Sequence, residues 1–247
     1  MELKENERID DLELNGLKII QNTDGFCFGM DSVLLSDFAK EIKNESTVID
    51  LGTGTGILGI LLCGKTNLKK VIGIEVQKEV AQMANKSIIL NNLQKRFEII
   101  NDNIKNLEKY FELGTIDVIV TNPPYKKANS GLTNENKAKL ISRHEVEAAL
   151  EDFIKISSKL LKNNGEFYMV HRPERLGDII ELLRKYKIEP KKLKVVSPKL
   201  TKEPNLILIK AVKNGKPFLK LEKNLYVYDE KGNYTKDILK IYGKEKA

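Results

Sequence analysis

Short apolar runs alternate with amphipathic segments along most of the chain. The apolar runs predict buried strands at 48–51, 71–75, 97–100, 116–120 and 165–170. The segments between and after these runs repeat apolar residues at helical spacing and predict helices over 31–42, 57–64, 77–91, 104–111, 146–161 and 174–186. Regular alternation of strands and helices is typical of a doubly wound, mostly parallel sheet with helices on both faces.

The pattern changes at both ends of the chain. Residues 1–30 predict an extended lead-in with a small hairpin around Asn15-Gly16. Apolar runs at 195–196, 206–209 and 225–228 predict strands with hairpin-like connections, which favours an antiparallel C-terminal edge on the sheet. We therefore predict a single α/β domain over 1–247, Rossmann-like, with a seven-stranded, mostly parallel sheet and a β/helical extension over 215–247. The polar segment 126–144 has no clear period and is predicted to be a loop.

Composition and charge narrow the class of protein. Hydrophobic residues make up 41% of the chain and charged residues 31%, as in ordinary globular proteins. No apolar run approaches a membrane span and the first residues do not resemble a signal peptide, so we expect a cytoplasmic protein that binds no membrane. The net charge of +7 permits a nucleic-acid partner, although a lysine-rich composition alone can produce it. Two histidines and two cysteines, Cys27 and Cys63, lack metal-ligand spacing, so we expect no metal.

A glycine-rich turn follows the predicted strand at 48–51 and opens the next helix. It reads Asp50-Leu51-Gly52-Thr53-Gly54-Thr55-Gly56. Glycines let the backbone approach a ligand closely, and a helix N-terminus offers amides to an anionic group. Glu75, at the end of the next strand, suits ribose hydroxyls. Because Asp50 would repel a pyrophosphate but suits the ammonium of an amino-acid tail, the pattern favours S-adenosylmethionine over a nicotinamide dinucleotide.

A third acidic residue is predicted at the same edge of the sheet. Asp102 lies in the segment Asn101-Asp102-Asn103, which follows the predicted strand at 97–100. The carboxyl ends of parallel strands are where such folds bind ligands, so Asp102 could accept a hydrogen bond from the adenine amine of the cofactor. Taken alone, this aspartate is explained almost as well by a solvated turn or a helix cap.

The most informative segment is Asn122-Pro123-Pro124-Tyr125, which directly follows the predicted strand at 116–120. Two consecutive prolines cannot continue a strand ladder or start the interior of a helix. The Asn122 side-chain oxygen, the Pro123 carbonyl and the Tyr125 ring are therefore expected to converge at one strand end. They suit a planar amino group, because they offer two acceptors for its hydrogens and a ring that stacks on its plane.

Together these motifs resemble class I S-adenosylmethionine-dependent methyltransferases, in the branch that methylates amino nitrogens. The resemblance spans roughly residues 20–215. It is nearest to the bacterial tRNA adenine-N6-methyltransferases that modify the purine beside the anticodon of a valine tRNA. The segments that carry this match are 7–12, 26–35, 122–125 and 143–145. The resemblance implies N6-methylation of an adenine in tRNA, with tRNA as partner and no obligate protein partner.

Candidate site residues follow from the motifs and from the resemblance. The implied cofactor-binding residues are Asp50, Gly52, Thr53, Gly54, Gly56, Glu75, Asp102, Asn103, Asn122 and Phe28. The expected catalytic residues are Asn122, Pro123 and Tyr125. Residues at predicted loop ends near the same edge are candidates for contacts with tRNA, and these are Lys126, Lys127, Arg143, His144, Arg172 and Arg175. For any one of these basic residues, a solvated surface charge is the simpler explanation.

Several other functions stay open at this point. A protein glutamine methyltransferase acting on release factors uses the same Asn122 segment but carries an added helical N-terminal domain, whereas fewer than fifty residues precede Asp50 here. A guanine-N2 methyltransferase of ribosomal RNA usually has phenylalanine in place of Tyr125, and a DNA adenine methyltransferase would need a target-recognition segment. The intact Asp50, Glu75 and Asn122 argue against a non-catalytic RNA-binding protein. An NAD-binding oxidoreductase would leave the Asn122 segment unexplained.

Overall fold

Strands and helices alternate through most of the protein, as seen in a computed structural model that describes residues 3–23, 29–125 and 150–244. The strands are β1 Glu7–Asp11, β2 Lys18–Asn22, β3 Thr47–Leu51, β4 Lys70–Ile74, β5 Phe97–Ile100, β6 Ile116–Thr121, β7 Leu161–His171, β8 Ile188–Ser197, β9 Leu206–Lys213, β10 Lys220–Leu221 and β11 Leu225–Tyr226. The helices are α1 Met30–Phe38, α2 Ile57–Lys65, α3 Lys78–Leu90, α4 Leu150–Leu160, α5 Leu176–Lys185 and α6 Lys236–Ile241. Short 3-10 helices cover Ile104–Lys109 and Pro173–Arg175.

One large sheet contains strands β3 to β11. Its order is β10-β8-β9-β7-β6-β3-β4-β5, and β11 also pairs with β8. Strands β3 to β7 run parallel to one another, whereas β9 is antiparallel to both β7 and β8. The order reverses between β3 and β6, and such a switch point opens a crevice at the carboxyl ends of the strands.

The mostly parallel α/β sheet is confirmed, but the sheet has nine strands rather than the predicted seven. Seven of the strands contain four or more residues, and the additional two, β10 and β11, contain two residues each. Both pair with β8, so part of the C-terminal extension covers that edge of the sheet. A two-residue strand is too short to leave a periodic pattern in the sequence. The antiparallel strand β9 lies between β7 and β8 rather than at the outer edge.

Three predicted helices differ in their bounds or type. The helix predicted over 31–42 ends at Phe38, and the one near 104–111 is a 3-10 helix. The helix predicted over 174–186 begins with a 3-10 turn at Pro173, whose ring fixes the first φ angle. The helix predicted over 146–161 is described from Leu150 onward, and its first residues lie outside the described ranges.

Alternate residues of the strands face two separate hydrophobic cores. Val48 and Val118 belong to the core beneath α1, α2 and α6. Ile49 and Ile119, their neighbours along the chain, belong to the core beneath α4 and α5. Both faces are therefore covered, which explains why these strands read as continuous apolar runs. Within the described ranges, no helix is long and apolar enough to cross a bilayer.

The N-terminal hairpin packs on α3 and shares a core with the other end of the chain. It turns at Asn15-Gly16, as predicted, with both residues at positive φ. Its second strand is bound to α3 through the Ile20 N–H, which donates to Ser87 Oγ at 2.9 Å. Ile19 lies in the same core as Ile238 of α6. The first and last elements of the chain therefore complete one core.

Candidate active site

Strand register brings the carboxyl ends of β3, β4 and β6 together. Leu51, the last residue of β3, pairs with Ile74 of β4 and with Thr121 of β6. The residues that follow these three are Gly52, Glu75 and Asn122. Because they leave adjacent strands at the same level, the three segments singled out in the sequence meet at the switch point of the sheet.

The turn after β3 has a backbone that only glycine adopts easily. Gly52, Gly54 and Gly56 have φ angles of 71°, 58° and 85°. The Gly52 and Thr53 N–H groups donate to the Ile74 carbonyl at 3.0 Å, which fixes the turn against β4. Apart from Gly54 itself and its two chain neighbours, no described residue has an atom within 4 Å of a Cβ placed on Gly54. The Gly54 backbone therefore borders open space in which a ligand can approach it closely.

Asp50 and Glu75 form a pair of buried carboxyl groups beside this turn. Thr53 Oγ1 donates to Asp50 Oδ2 at 2.6 Å, and the Gly54 N–H donates to Glu75 Oε2 at 3.0 Å. Burial raises the pKa of Asp50 to about 7, an effect that the Thr53 hydroxyl opposes and the nearby Glu75 reinforces. Burial also raises the pKa of Glu75. A ligand that brings a positive charge and hydroxyl groups would favour the ionised forms of both.

We expect Asp50→Asn to stabilise the ligand-free protein more at pH 8 than at pH 5. Folding raises the pKa of Asp50 from its usual 3.8 to about 7, so the folded state binds the proton more tightly than the unfolded state. The stability that Asp50 contributes is therefore present below pH 4 and is lost as the pH rises through 7. Urea unfolding at both pH values should show the advantage of the variant growing by about 2–3 kcal/mol. An advantage that does not change with pH would contradict the raised pKa.

The acidic residue Asp102, in the loop after β5, accepts hydrogen bonds from the residues that follow it. Asp102 Oδ1 accepts from the Asn103 N–H and Asn106 Nδ2, and Oδ2 accepts from the Tyr110 hydroxyl, each at 2.7 Å. The Lys109 ammonium lies 2.6 Å from Oδ2 and, with these donors, holds the pKa of Asp102 well below its usual range. Asn103 accepts from the Lys105 N–H and caps the 3-10 helix. Both residues thus stabilise the loop, and a ligand contact from Asp102 would be additional to these bonds.

No sequence pattern pointed to a role for two neighbouring residues, Asn101 and Val76. Asn101 Nδ2 donates to the carbonyls of Glu75 and Val76 at 2.7 and 3.0 Å, which connects the ends of β4 and β5. Val76 is 50% exposed although it directly follows the buried Glu75. An apolar side chain in this position offers a surface for a flat ring. The only signal in the sequence was their adjacency to the two predicted acidic residues.

The segment after β6 contacts the first turn of α1. Asn122 Nδ2 donates to Ser32 Oγ at 3.3 Å. The Tyr125 hydroxyl lies 2.7 Å from Asn122 Oδ1 and 2.5 Å from Asp31 Oδ2. Burial and the nearby Asp31 raise the pKa of Tyr125, so its hydroxyl keeps its proton. Neither contact with α1 was predicted, because about ninety residues separate the partners along the chain.

The ring of Tyr125 is flanked by two residues from the end of β7. The Arg172 guanidinium lies over the ring, 5.1 Å from its centre, and Arg172 Nη1 donates to the Asn205 carbonyl at 3.0 Å. The His171 ring meets Tyr125 edge-on at 5.1 Å. Burial lowers the pKa of His171 to about 4, so this imidazole is neutral near pH 7. Arg172, a candidate for contacts with tRNA, lies against the aromatic ring of the candidate site.

The other predicted residues fall into two groups. Arg175 is described, and its Nε bonds to Asp178 at 2.5 Å on the first turn of α5. Five residues lie outside the described ranges, namely Phe28, Lys126, Lys127, Arg143 and His144. Within the described part of the chain, no group of three or more histidine, cysteine, aspartate or glutamate side chains is arranged to hold a metal ion.

Comparison with known sequences gives consistent relatives. The family model described as methyltransferase small domain matches residues 28–185. A tRNA1(Val) (adenine(37)-N6)-methyltransferase of Porphyromonas gingivalis is 30% identical over 185 residues, which cover 73% of this chain and 72% of the relative. A protein of the same description from Pedobacter heparinus is 25% identical over 238 residues, which cover 95% and 94% of the two chains.

Comparison with solved structures supports the fold. A predicted O-methyltransferase from Agrobacterium tumefaciens superposes with a TM-score of 0.70 at 18% identity, covering 88% of this chain and 98% of the other. A tRNA methyltransferase from M. jannaschii superposes with a TM-score of 0.61 at 14% identity, covering 87% of this chain and 59% of the other. At such identities the likeness concerns the fold alone.

Proposed function

Because the chain belongs to the methyltransferase small domain family, we propose that it transfers a methyl group from S-adenosylmethionine to N6 of an adenine in tRNA. The main structural support is the position of Asn122, which leaves the sheet beside the glycine turn. The main support for the substrate is the description shared by the curated relatives, which points to the adenine beside the anticodon of a valine tRNA. Its expected place of action is the cytoplasm.

The residues around the glycine turn fit this cofactor. S-adenosylmethionine supplies an activated methyl group on a sulfonium centre and carries an ammonium, a carboxylate and ribose hydroxyls. The buried Asp50 suits the ammonium, and Glu75 suits the hydroxyls, since a carboxylate accepts two hydrogen bonds. The open space at Gly54 leaves room for the amino-acid tail. Val76 would pack against the adenine, with Asp102 and Asn103 at the rim of the same pocket.

The segment after β6 would bind the target amine. Asn122 Oδ1 and the Pro123 carbonyl would accept the two hydrogens of the adenine N6 group. This arrangement draws the nitrogen lone pair out of conjugation with the purine ring and so makes the nitrogen a better nucleophile. Ser32 holds the amide nitrogen of Asn122, which leaves the amide oxygen for the substrate. Fixing the two reactants in this way would supply most of the rate acceleration.

Tyr125 would stack on the adenine after the base leaves its strand. Stacking of a base on an aromatic side chain is worth about 1–3 kcal/mol. A base on this ring has to share it with Arg172, whose planar guanidinium already lies over it. Arg172 therefore belongs to the base pocket in this proposal, rather than to the phosphate-binding surface.

No dedicated base is required for the reaction. The alkylated nitrogen is strongly acidic and loses its proton readily to water or to the acceptors around it. His171 is poorly suited to receive that proton, because burial lowers its pKa to about 4 and its Nδ1 accepts from the Arg172 N–H at 2.8 Å. We therefore assign His171 a structural role beside Tyr125.

The distribution of charge along the chain supports an RNA substrate. Residues 186–247 contain 16 lysines, no arginine and seven acidic residues, a net charge of +9. The remaining residues carry a net charge of −2. A polyanion would be attracted to this C-terminal part, with a strong dependence on salt.

Methyl transfer from labelled S-adenosylmethionine to tRNA that lacks its own modifications tests the proposal. We expect N6-methyladenosine in a valine tRNA after nucleoside analysis, and we expect it to be absent from an anticodon-loop variant with guanine in place of that adenine. Ribosomal RNA and a release factor are tested as alternative substrates in separate, parallel reactions. Labelling of either of these, with none in tRNA, would support methyl transfer by this protein but refute tRNA as its substrate.

A further inference from the structure

A single hydroxyl group lies between two acceptors in the candidate site. The Tyr125 oxygen is 2.5 Å from Asp31 Oδ2 and 2.7 Å from Asn122 Oδ1. A phenol has one hydrogen, so it can donate fully to only one of them at a time. The choice matters, because Asn122 Oδ1 is the atom proposed to accept a hydrogen from the substrate amine.

We propose that Asp31 is a positioning residue for methyl transfer, which accepts the hydrogen bond of the Tyr125 hydroxyl and so keeps Asn122 Oδ1 available to the substrate. Hydrogen bonds to a carboxylate are roughly twice as strong as those to a neutral amide oxygen, and the contact with Asp31 is the shorter one. The Tyr125 hydroxyl therefore donates its hydrogen bond to Asp31. The contact between Tyr125 and Asn122 then holds no hydrogen, and an incoming amine can supply one to Asn122.

The first turn of α1 contacts both Tyr125 and Asn122. Asp31 accepts a hydrogen bond from the Tyr125 hydroxyl, and its neighbour Ser32 accepts one from the Asn122 amide nitrogen at 3.3 Å. The nitrogen of the amide is thereby directed to the helix and its oxygen away from it. Without Asp31, the Tyr125 hydroxyl would donate to Asn122 Oδ1 and compete with the substrate for the same lone pairs. The inference rests on the proposed function, because it takes Asn122 as the acceptor of the amine.

A double-mutant cycle in single-turnover methyl transfer tests this role. We expect Asp31→Ala to slow transfer about tenfold while Tyr125 is present, which is the effect of one competing hydrogen bond. Whatever the rate of Tyr125→Phe alone, adding Asp31→Ala to it should cost less than about twofold, since no hydroxyl is left to compete. A purely structural role of Asp31 would produce the same loss in both backgrounds and would overturn the proposal.

Two further variants serve as a control and as a substitute for Asp31→Ala. Asp37→Ala removes an acidic residue of the same helix that pairs with Lys40 at 3.0 Å, and it should transfer at the wild-type rate. If Asp31→Ala fails to fold, Asp31→Asn keeps the shape of the side chain, and its smaller loss should likewise disappear with Tyr125→Phe. If the wild-type protein methylates no adenine, the proposed function fails. If it does, and equal losses appear in both backgrounds, only the role of Asp31 fails.

Discussion

Asn122→Ala should lower the rate of methyl transfer at least 100-fold while the protein stays folded. The variant removes one of the two acceptors for the amine hydrogens, so the adenine nitrogen keeps its lone pair in the ring and loses its fixed orientation. Removing a single well-placed polar group from a reacting centre typically costs a factor of about 100–1,000. Single-turnover rates at saturating cofactor and tRNA measure the effect on the chemical step alone.

Ser32→Ala is the matched control for this prediction. Ser32 Oγ accepts from the nitrogen of the same amide at 3.3 Å, whereas the substrate amine is proposed to donate to its oxygen. Its loss should remove only one long supporting bond and slow transfer by a factor of about 2–5. Comparable losses in both variants would indicate that the amide is needed for packing rather than for accepting the amine. A wild-type rate in Asn122→Ala would refute the proposed mechanism.

Gly54→Ala should weaken the binding of S-adenosylmethionine by about 100-fold. The new methyl group would enter the open space beside the turn, where, of the described residues, only its chain neighbours lie within 4 Å, and would take the place of the amino-acid tail. A loss of this size corresponds to about 2.7 kcal/mol, the value of one or two hydrogen bonds to a charged group. Titration calorimetry with S-adenosylmethionine or its demethylated product measures the change directly.

Gly114→Ala separates this effect from backbone strain. Gly114 also has a positive φ, 71° against 58° for Gly54, and a Cβ there would also meet no described residue other than its chain neighbours within 4 Å. Both substitutions should cost roughly 1 kcal/mol of unfolding free energy, because alanine is strained in this conformation. Only the Gly54 variant should lose the cofactor. If both variants bind as tightly as the wild type, the turn is not the cofactor site.

The strand ends that form the candidate site could be predicted, because residues next to each other in the sequence mark them. An apolar run followed by Asp50 and glycines, or by Asn122 and two prolines, marks the end of a strand without knowledge of its neighbours. Parallel pairing then places all such ends at one edge of the sheet, as the register of β3, β4 and β6 confirms.

The side-chain partners could not be predicted, because they come from distant parts of the chain. The spacing of residues near Tyr125 gives no hint that Asp31 binds its hydroxyl or that Arg172 covers its ring. Asp102 shows the opposite case, since its donors are the next few residues, Asn103 to Tyr110, and a loop-stabilising role was one of its two predicted explanations. Sequence patterns thus predicted which strand ends meet at the candidate site, whereas the packing of α1 and β7 against it determines the side-chain contacts.

The shared core of the first hairpin and the last helix affects how the chain folds during its synthesis. The hairpin leaves the ribosome before α3, and Ser87, which accepts from its Ile20 N–H, is made 67 residues later. Ile238, which belongs to the same core as Ile19, is made 219 residues after it. Since domains fold as units once their partners are available, this side of the protein cannot close before the helix α6 has been made. Nascent chains stalled before residue 236 should therefore expose Leu12 and Ile19 to chaperones and proteases, and release of the full chain should protect them.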